Sequence, residues 1–211
     1  MKITYLGHAS FLLETAAGTR IVTDPYAQDI LPHPVEKADV VTSSHEHGDH
    51  CDFSQVKGDY VIVNSEKAVT FLDVKITCVP CFHDEVRGQK RGHNRAYIFE
   101  AEGLKIVHLG DLGEAPTPAL VDACGGADVL FIPVGGTYTL TGEQAAEAVK
   151  ALQPRLVVPM HYRCPGHGFA VLTTEEPFLK ALDPAVPVCR ADQLASPFPT
   201  GAAVLTPAGK E

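Results

Sequence analysis

The stretch Val40-Val41-Thr42-Ser43-Ser44-His45-Glu46-His47-Gly48-Asp49-His50 joins a short β-branched run to four metal-capable side chains within six residues. A strand core seldom takes three imidazoles and a carboxylate together, because burying them unpaired is costly. At a strand end the same groups share one space. Zinc accepts imidazole nitrogen and carboxylate oxygen there and keeps a position open for water in catalytic sites. His45 and His47 alternate by two and face one side of extended backbone. The adjacent Asp49 and His50 diverge, which lets them serve a second, neighbouring cation.

Outward from this stretch, strand-like runs dominate. Ser10–Glu14 and Arg20–Thr23 flank a Gly-containing turn and read as a hairpin. Residues 96–100 and Leu104–His108 read as a second one around Ala101-Glu102-Gly103. Residues 60–63 and 74–79 are β-branched and aliphatic. Residues 129–132 and 156–158 are short and wholly apolar, which suits buried strands. Helices are expected at 117–123 and 174–182, and after Thr141, where Thr141 and Gln144 form a capping box and Pro154 stops the helix. The two hairpins also repeat one another. Each ends in an aspartate, Asp24 or Asp111, and each is followed by a similar strand, at offsets of 86 to 89 residues. Two β-rich halves built alike suggest two sheets packed face to face.

The chain has 211 residues, enough for one substantial core and too few for two, so residues 1–211 read as a single domain. Hydrophobic residues at 45% and charged residues at 20% form an ordinary globular mixture, which confines expected disorder to residues 207–211. A formal charge of −9 repels phosphate backbones and argues against nucleic acid as a partner. The opening has no signal-peptide pattern, and no apolar run nears the roughly 20 residues needed to cross a bilayer. The expectation is a cytoplasmic protein acting on a small-molecule substrate without a membrane, its oligomeric state open. Six cysteines are expected as thiols. Cys78 and Cys81, though spaced C-x-x-C, read as small apolar strand residues, since no second pair completes a zinc site.

The pattern H-x-H-x-D-H after a strand resembles the signature of the metallo-β-lactamase superfamily. The superfamily's other motifs follow in order at Asp24 (Thr23-Asp24-Pro25), His83 (Cys81-Phe82-His83-Asp84), Asp111 (Leu109-Gly110-Asp111-Leu112-Gly113) and His161 (Val158-Pro159-Met160-His161-Tyr162). The opening Tyr5-Leu6-Gly7-His8-Ala9-Ser10-Phe11 is similar to the subgroup of L-ascorbate-6-phosphate lactonase and N-acyl-phosphatidylethanolamine phospholipase D. The resemblance implies an α+β fold, a four-layer αββα sandwich of two mixed β-sheets flanked by helices, with the site at one edge. It implies two divalent metal ions, zinc first and manganese second. His45, His47 and His83 would hold one, Asp49, His50 and His161 the other, and Asp111 would bridge. His93, in Gly92-His93-Asn94, competes with His83. His83 is favoured because it follows the run 74–79 and has Asp84 beside it as a hydrogen-bonding partner.

The implied chemistry is hydrolysis of an ester-like bond, in a lactone or phosphodiester, by a hydroxide that two metals activate. Asp49 would hold the nucleophilic water and Asp24 would orient a ligand histidine. No serine nucleophile is needed, and Ser10, Ser43 and Ser44 read as turn and strand residues. His8, Tyr138, Arg163 and His167 are expected to line the substrate site. His108 is expected to be buried and hydrogen-bonded, and His33, between two prolines, at the surface. Two other readings stay open: a non-catalytic metal- or ligand-binding protein, and an RNA-processing phosphodiesterase of the same superfamily.

Overall fold

Many of the strands carry consecutive apolar residues, and the two sheets they build bury a core between them. The computed structural model describes residues 1–28 and 36–208. The expectations for His33 and for residues 209–211 lie outside the described residues.

The first half contains β1 (Lys2–Gly7), β2 (Ser10–Glu14), β3 (Arg20–Thr23), β4 (Glu36–Lys37), β5 (Val40–Thr42), β6 (Val56–Lys57), β7 (Val61–Val63), β8 (Val69–Phe71) and β9 (Val74–Phe82). Then come β10 (His93–Ala101), β11 (Leu104–His108), α1 (Pro118–Cys124), β12 (Val129–Pro133), α2 (Gly142–Leu152) and β13 (Leu156–Met160). The chain closes with α3 (Glu176–Ala181), β14 (Val188–Ala191), β15 (Gln193–Ala195) and β16 (Gly201–Leu205). One sheet runs β15-β1-β2-β3-β5-β7, and the other runs β14-β16-β13-β12-β11-β10-β9-β8.

The internal repeat is realised in this topology. β2 and β3 pair antiparallel and β3 pairs parallel with β5, while β10, β11 and β12 repeat that arrangement in the other sheet. Between the sheets Ile3, Tyr5, Phe11, Leu13, Ile21 and Val40 meet Ile76, Tyr97, Phe99, Ile106, Val129 and Phe131. Phe11 stacks on Tyr5 at 4.9 Å and on Phe131, from the opposite sheet, at 3.9 Å between ring centroids. Truncating an aromatic packed this way typically costs about 3–5 kcal/mol. β12 and β13 are buried at every position, as continuous apolar strands in the middle of a sheet should be.

The helices follow their caps. The Thr141 side chain accepts from the backbone N–H of Gln144, whose side chain accepts from the N–H of Thr141, and α2 ends at Leu152, two residues before Pro154. Thr117 caps α1, with Pro118 in the first turn. All three helices among the described residues pack on one sheet. Leu120, Ala145, Leu152 and Phe178 cover Ile98, Val107, Leu130 and Ile132 of the eight-stranded sheet. The sandwich is thus as expected, but the outer face of the six-stranded sheet differs from a fully four-layered one. Its apolar set, Leu6, Leu12, Val22 and Val41, is small enough for Phe53, Val56, Tyr60 and Ala208 to cover without a helix. No helix among the described residues is long and apolar enough to cross a membrane.

β14 and β15 were not legible in the sequence because they are short and largely exposed, and β16 because its Gly-Ala-Ala start has low strand propensity. Cys78 and Cys81 both lie in β9 and are free thiols. Three residues apart in a strand, they point to opposite faces and join different cores.

The pairing directions set up the site. β1, β3 and β5 run parallel to one another in one sheet, and β9, β11, β12 and β13 in the other. Their carboxyl ends gather at one edge of the sandwich, the place where strand-end loops of a sheet leave room for a ligand.

Candidate metal centre

Every residue of the expected ligand set lies just beyond one of these strand ends. His45 to His50 follow β5, His83 follows β9, Asp111 follows β11 and His161 follows β13. Two groups form. One ligand atom each from His45, His47 and His83 lie within 4.8 Å of one another, and so do those of His8, Asp49, His50 and His161. Asp111 stands between the groups. Its Oδ2 is 3.2 Å from Nε2 of His83 in the first group, and 3.2 Å from Nε2 of both His50 and His161 in the second. His45 Nε2 is 4.0 Å away. Nε2 of His45, His50 and His161 and Oδ1 of Asp111 are buried and make no hydrogen bond. The residues fit a cation-binding centre on chemistry alone. Such a cluster of buried lone pairs around one carboxylate is costly unless something positive joins it.

The backbone aims these groups. His8, Asp24 and His161, the residues following β1, β3 and β13, have φ of 54°, 41° and 53°. Left-handed backbone at a non-glycine residue is strained, and here it turns each side chain sharply into the shared edge. Gly110, also left-handed at φ +54°, carries the chain into Asp111; a Cβ there would lie 2.3 Å from Asn94 Oδ1 and 2.6 Å from Ser44 Cβ. Asn94 holds the same turn from the other side, accepting from Asp111 N at 3.0 Å and donating to Leu109 O at 2.8 Å.

Asp24 orients two imidazoles, one in each group. Its Oδ2 lies 2.9 Å from His50 Nδ1, and a carboxylate only accepts, so the proton is on Nδ1 and Nε2 faces the centre. Ser44 donates from Oγ to Asp24 Oδ2 at 2.5 Å and lies 2.9 Å from His45 Nδ1. With its own proton committed, Oγ accepts from His45 Nδ1–H, which again leaves Nε2 toward the centre. The Ser44 backbone N–H donates to Asp24 Oδ1 at 2.8 Å. Ser44, read from the sequence as a turn residue, is therefore a relay between Asp24 and His45. His108 is buried as expected; it takes Gly110 N–H on Nδ1 at 3.1 Å and donates from Nε2 to Ala9 O at 2.7 Å.

The electrostatics follow from burial and neighbours. Burial and the adjacent His50 push the His45 imidazole down to about 3, which keeps it neutral. Burial and His161 do the same to His8, also to about 3. Burial works against a proton on His50, but the carboxylates of Asp111 and Asp24 outweigh it and raise its pKa well above the ordinary value. Burial opposes the charge of Asp111, yet His161 and His50 hold its carboxyl far below the usual range. Asp49 is likewise held low against its burial, chiefly by the His8 hydrogen bond of 3.2 Å.

A cavity of about 660 Å³ opens above the centre, within the usual size of a small-molecule site. His47, Asp49, His83, Asp111 and His161 form its floor, and Arg91, Tyr138, Phe169, Ala170 and Val171 its walls. Of the four residues expected to line a substrate, only Tyr138 does. His8 is fully buried beneath the floor, held against Asp49. Arg163 and His167 face a separate cleft, because Arg163 Nε is tied to Leu172 O at 3.2 Å and His167 is buried 3.3 Å from the Tyr26 hydroxyl. Arg91, Phe169 and Val171 were missed. They lie on the loops 84–93 and 162–172, whose conformations set their side-chain directions. His93 is exposed in β10, its ring 5.3 Å from Phe82, and does not join the centre.

Asp84 does not partner His83 as expected. Its carboxylate instead accepts four backbone N–H bonds, from Val86, Gly88, Lys90 and Arg91, at 2.7–2.9 Å, and so organises the loop that carries Arg91. Burial opposes its charge, but these donors, Arg91 foremost, hold its pKa down at about 2 instead of 3.8. A depressed carboxyl contributes stability that is complete above its unfolded pKa and is lost as pH falls through the folded one. Loop protection should therefore decay between about pH 4 and pH 2, read by amide exchange. At neutral pH, Asp84→Asn should raise tryptic cleavage at Lys90 and Arg91 by about 10-fold or more. Unchanged cleavage would remove Asp84 from this role.

Comparison with known proteins gives the family and the fold. The sequence pattern of the Beta-lactamase superfamily domain matches residues 2–161. A protein of Thermococcus onnurineus named UPF0173 metal-dependent hydrolase is 32% identical over 192 residues, covering 77% of this chain and 84% of its own length. A relative of the same name from Pelotomaculum thermopropionicum is 31% identical over 197 residues, with the same coverage of 77% and 84%. Among solved structures, a candidate zinc-dependent hydrolase of the metallo-β-lactamase superfamily from Thermotoga maritima is 39% identical, covers 97% of both chains and superposes with a TM-score of 0.80. The strand-end cluster, the two-sheet sandwich and these relatives lead to one assignment: the chain belongs to the metallo-β-lactamase superfamily, among the UPF0173 metal-dependent hydrolases.

Proposed function

We propose that this hydrolase uses two divalent cations, zinc in the first place and manganese in the second, to cleave an ester-like bond of a small molecule, in the lactone or phosphodiester class. His45, His47 and His83 would hold one cation, Asp49, His50 and His161 the other, with Asp111 shared. The observation that carries the reading is Asp111 Oδ2, 3.2 Å from imidazole nitrogens of both groups at once. When bound, such a pair supplies Lewis-acid polarisation of the scissile oxygen and brings the pKa of a water toward neutrality.

The chain's own residues do the rest. Asp49, in the cavity floor and held ionised by His8, accepts a hydrogen bond from the attacking water and aligns it. Asp24 keeps His50 directly, and His45 through Ser44, in the tautomer that presents Nε2. The walls of Tyr138, Phe169 and Val171 exclude bulk water on one side of the cavity and accept an apolar portion of the substrate. The similarity of the opening residues 5–11 to the lactonase and phospholipase D subgroup supports this substrate class over a β-lactam.

Elemental analysis of the purified protein, before and after exhaustive chelation and reconstitution, tests the reading. Two divalent ions per chain are expected, with esterase or phosphodiesterase turnover lost on chelation and restored by zinc or manganese. One ion at saturation, or activity that survives chelation, would overturn it.

A further inference from the structure

Arg91 is the single Lys or Arg among the residues lining the cavity. Three anchors hold it. Its backbone N–H donates to Asp84 Oδ2 at 2.7 Å, within the loop that Asp84 organises. Its Nη2 donates to Thr137 O at 3.1 Å. Its Cζ lies 5.6 Å from the centroid of the Tyr138 ring, a cation–π distance. Ordering a long side chain in one geometry costs conformational entropy, so a fixed guanidinium usually has a partner. In this acidic chain Arg20 takes Glu14 and Glu36, Arg95 takes Glu46 and Arg190 takes Glu175, while Arg155 and Arg163, like Arg91, bond a backbone carbonyl; of those three Arg91 alone lines the cavity. No carboxylate among the described residues pairs with Arg91. Its neighbours on the wall are apolar: Phe169, Ala170 and Val171, with Val171 56% and Tyr138 40% exposed at the rim.

We infer that Arg91 recognises an oxyanion group that the substrate carries apart from its scissile bond. The inference rests on the proposed ester hydrolysis and narrows it. The substrate class becomes an ester or lactone with a separate carboxylate or phosphate, joined by a short apolar spacer that lies along Phe169 and Val171. The planar fork of a guanidinium matches either oxyanion through two parallel hydrogen bonds, and its tether to Thr137 O leaves other N–H donors for that purpose.

The test uses metal-loaded protein and matched nitrophenyl esters: 4-nitrophenyl butyrate, mono-4-nitrophenyl glutarate and 4-nitrophenyl 4-phosphonobutyrate. The wild type should favour the charged esters in kcat/KM. In Arg91→Met that preference, taken as the ratio of charged to neutral ester, should fall about 10- to 100-fold, mainly through KM, with metal content unchanged. Arg91→Lys should recover part of the ratio. Which charged ester falls further tells carboxylate from phosphate. A ratio unmoved by Arg91→Met overturns the proposal. If no ester is turned over, the ester-hydrolysis reading fails by itself. Arg91 is then judged by calorimetric binding of glutarate to metal-loaded wild type and Arg91→Met, where equal affinity overturns it and weaker binding to the variant upholds it.

Discussion

Asp111→Ala should leave the protein with one bound divalent ion or none and lower kcat/KM by on the order of 10³-fold or more. The size of the effect follows from position. One carboxylate oxygen lies 3.2 Å from imidazole nitrogens of both groups, those of His83, His50 and His161. On the proposed assignment, removing it would take a ligand from each group and the negative charge that would offset two cations in a buried site. Asp111→Asn is the companion variant, because it keeps the side-chain volume among His50, His83 and His161 while losing the charge. Both variants should retain the far-ultraviolet circular dichroism of the parent. Elemental analysis showing two ions retained in folded Asp111→Ala would defeat the shared-ligand assignment.

The second large effect is expected at Asp24, and it divides into stability and affinity. Asp24→Ala leaves His50 Nδ1–H, Ser44 N–H and Ser44 Oγ–H without their acceptor in a fully buried place. Breaking a buried charged network on one side costs about 3–5 kcal/mol, measurable in urea unfolding of metal-free protein. The backbone adds to this, since alanine tolerates the left-handed φ of 41° less well than aspartate. Asp24→Asn should fold but offer an N–H₂ where three donors converge, and lose metal affinity by about 10- to 100-fold.

Ser44→Ala separates the two arms of the network. It frees His45 while leaving Asp24 on His50, so affinity should fall at the group of His45, His47 and His83 and persist at the other. Ser44→Thr, which keeps the hydroxyl, should restore it. Equal loss at both positions in Ser44→Ala would mean that the relay does not exist.

The legibility of these residues in the sequence differs for physical reasons. His45, His47, Asp49 and His50 announce themselves because strand-end chemistry concentrates them in one short stretch. His83, Asp111 and His161 were found through strand ends and family resemblance, and all three reach the centre. Ser44 was passed over. Its partner Asp24 lies twenty residues earlier, and only the parallel register of β3 and β5, Thr23 opposite Thr42, sets the two side by side. Asp84 was assigned to the wrong partner, because an aspartate next to a ligand histidine looks the same in sequence whether it turns toward the ring or into its own loop. His167 and Arg163 were taken as substrate residues for being on a loop after a strand, while the cavity wall came from Phe169 and Val171 of the same loop.

By itself the sequence determined the strands β5, β9, β11 and β13 that lead into the centre, the two-hairpin repeat, the capped helix α2 and the identity of the groups around the centre. These depend on local periodicity, caps and ligand chemistry, which are written in neighbouring residues. Tertiary structure alone decided that Ser44 joins Asp24 to His45 and that Arg91 rather than Arg163 faces the cavity. Each of those facts is a meeting of segments distant in the chain, set by sheet register and loop packing, and no local pattern encodes it.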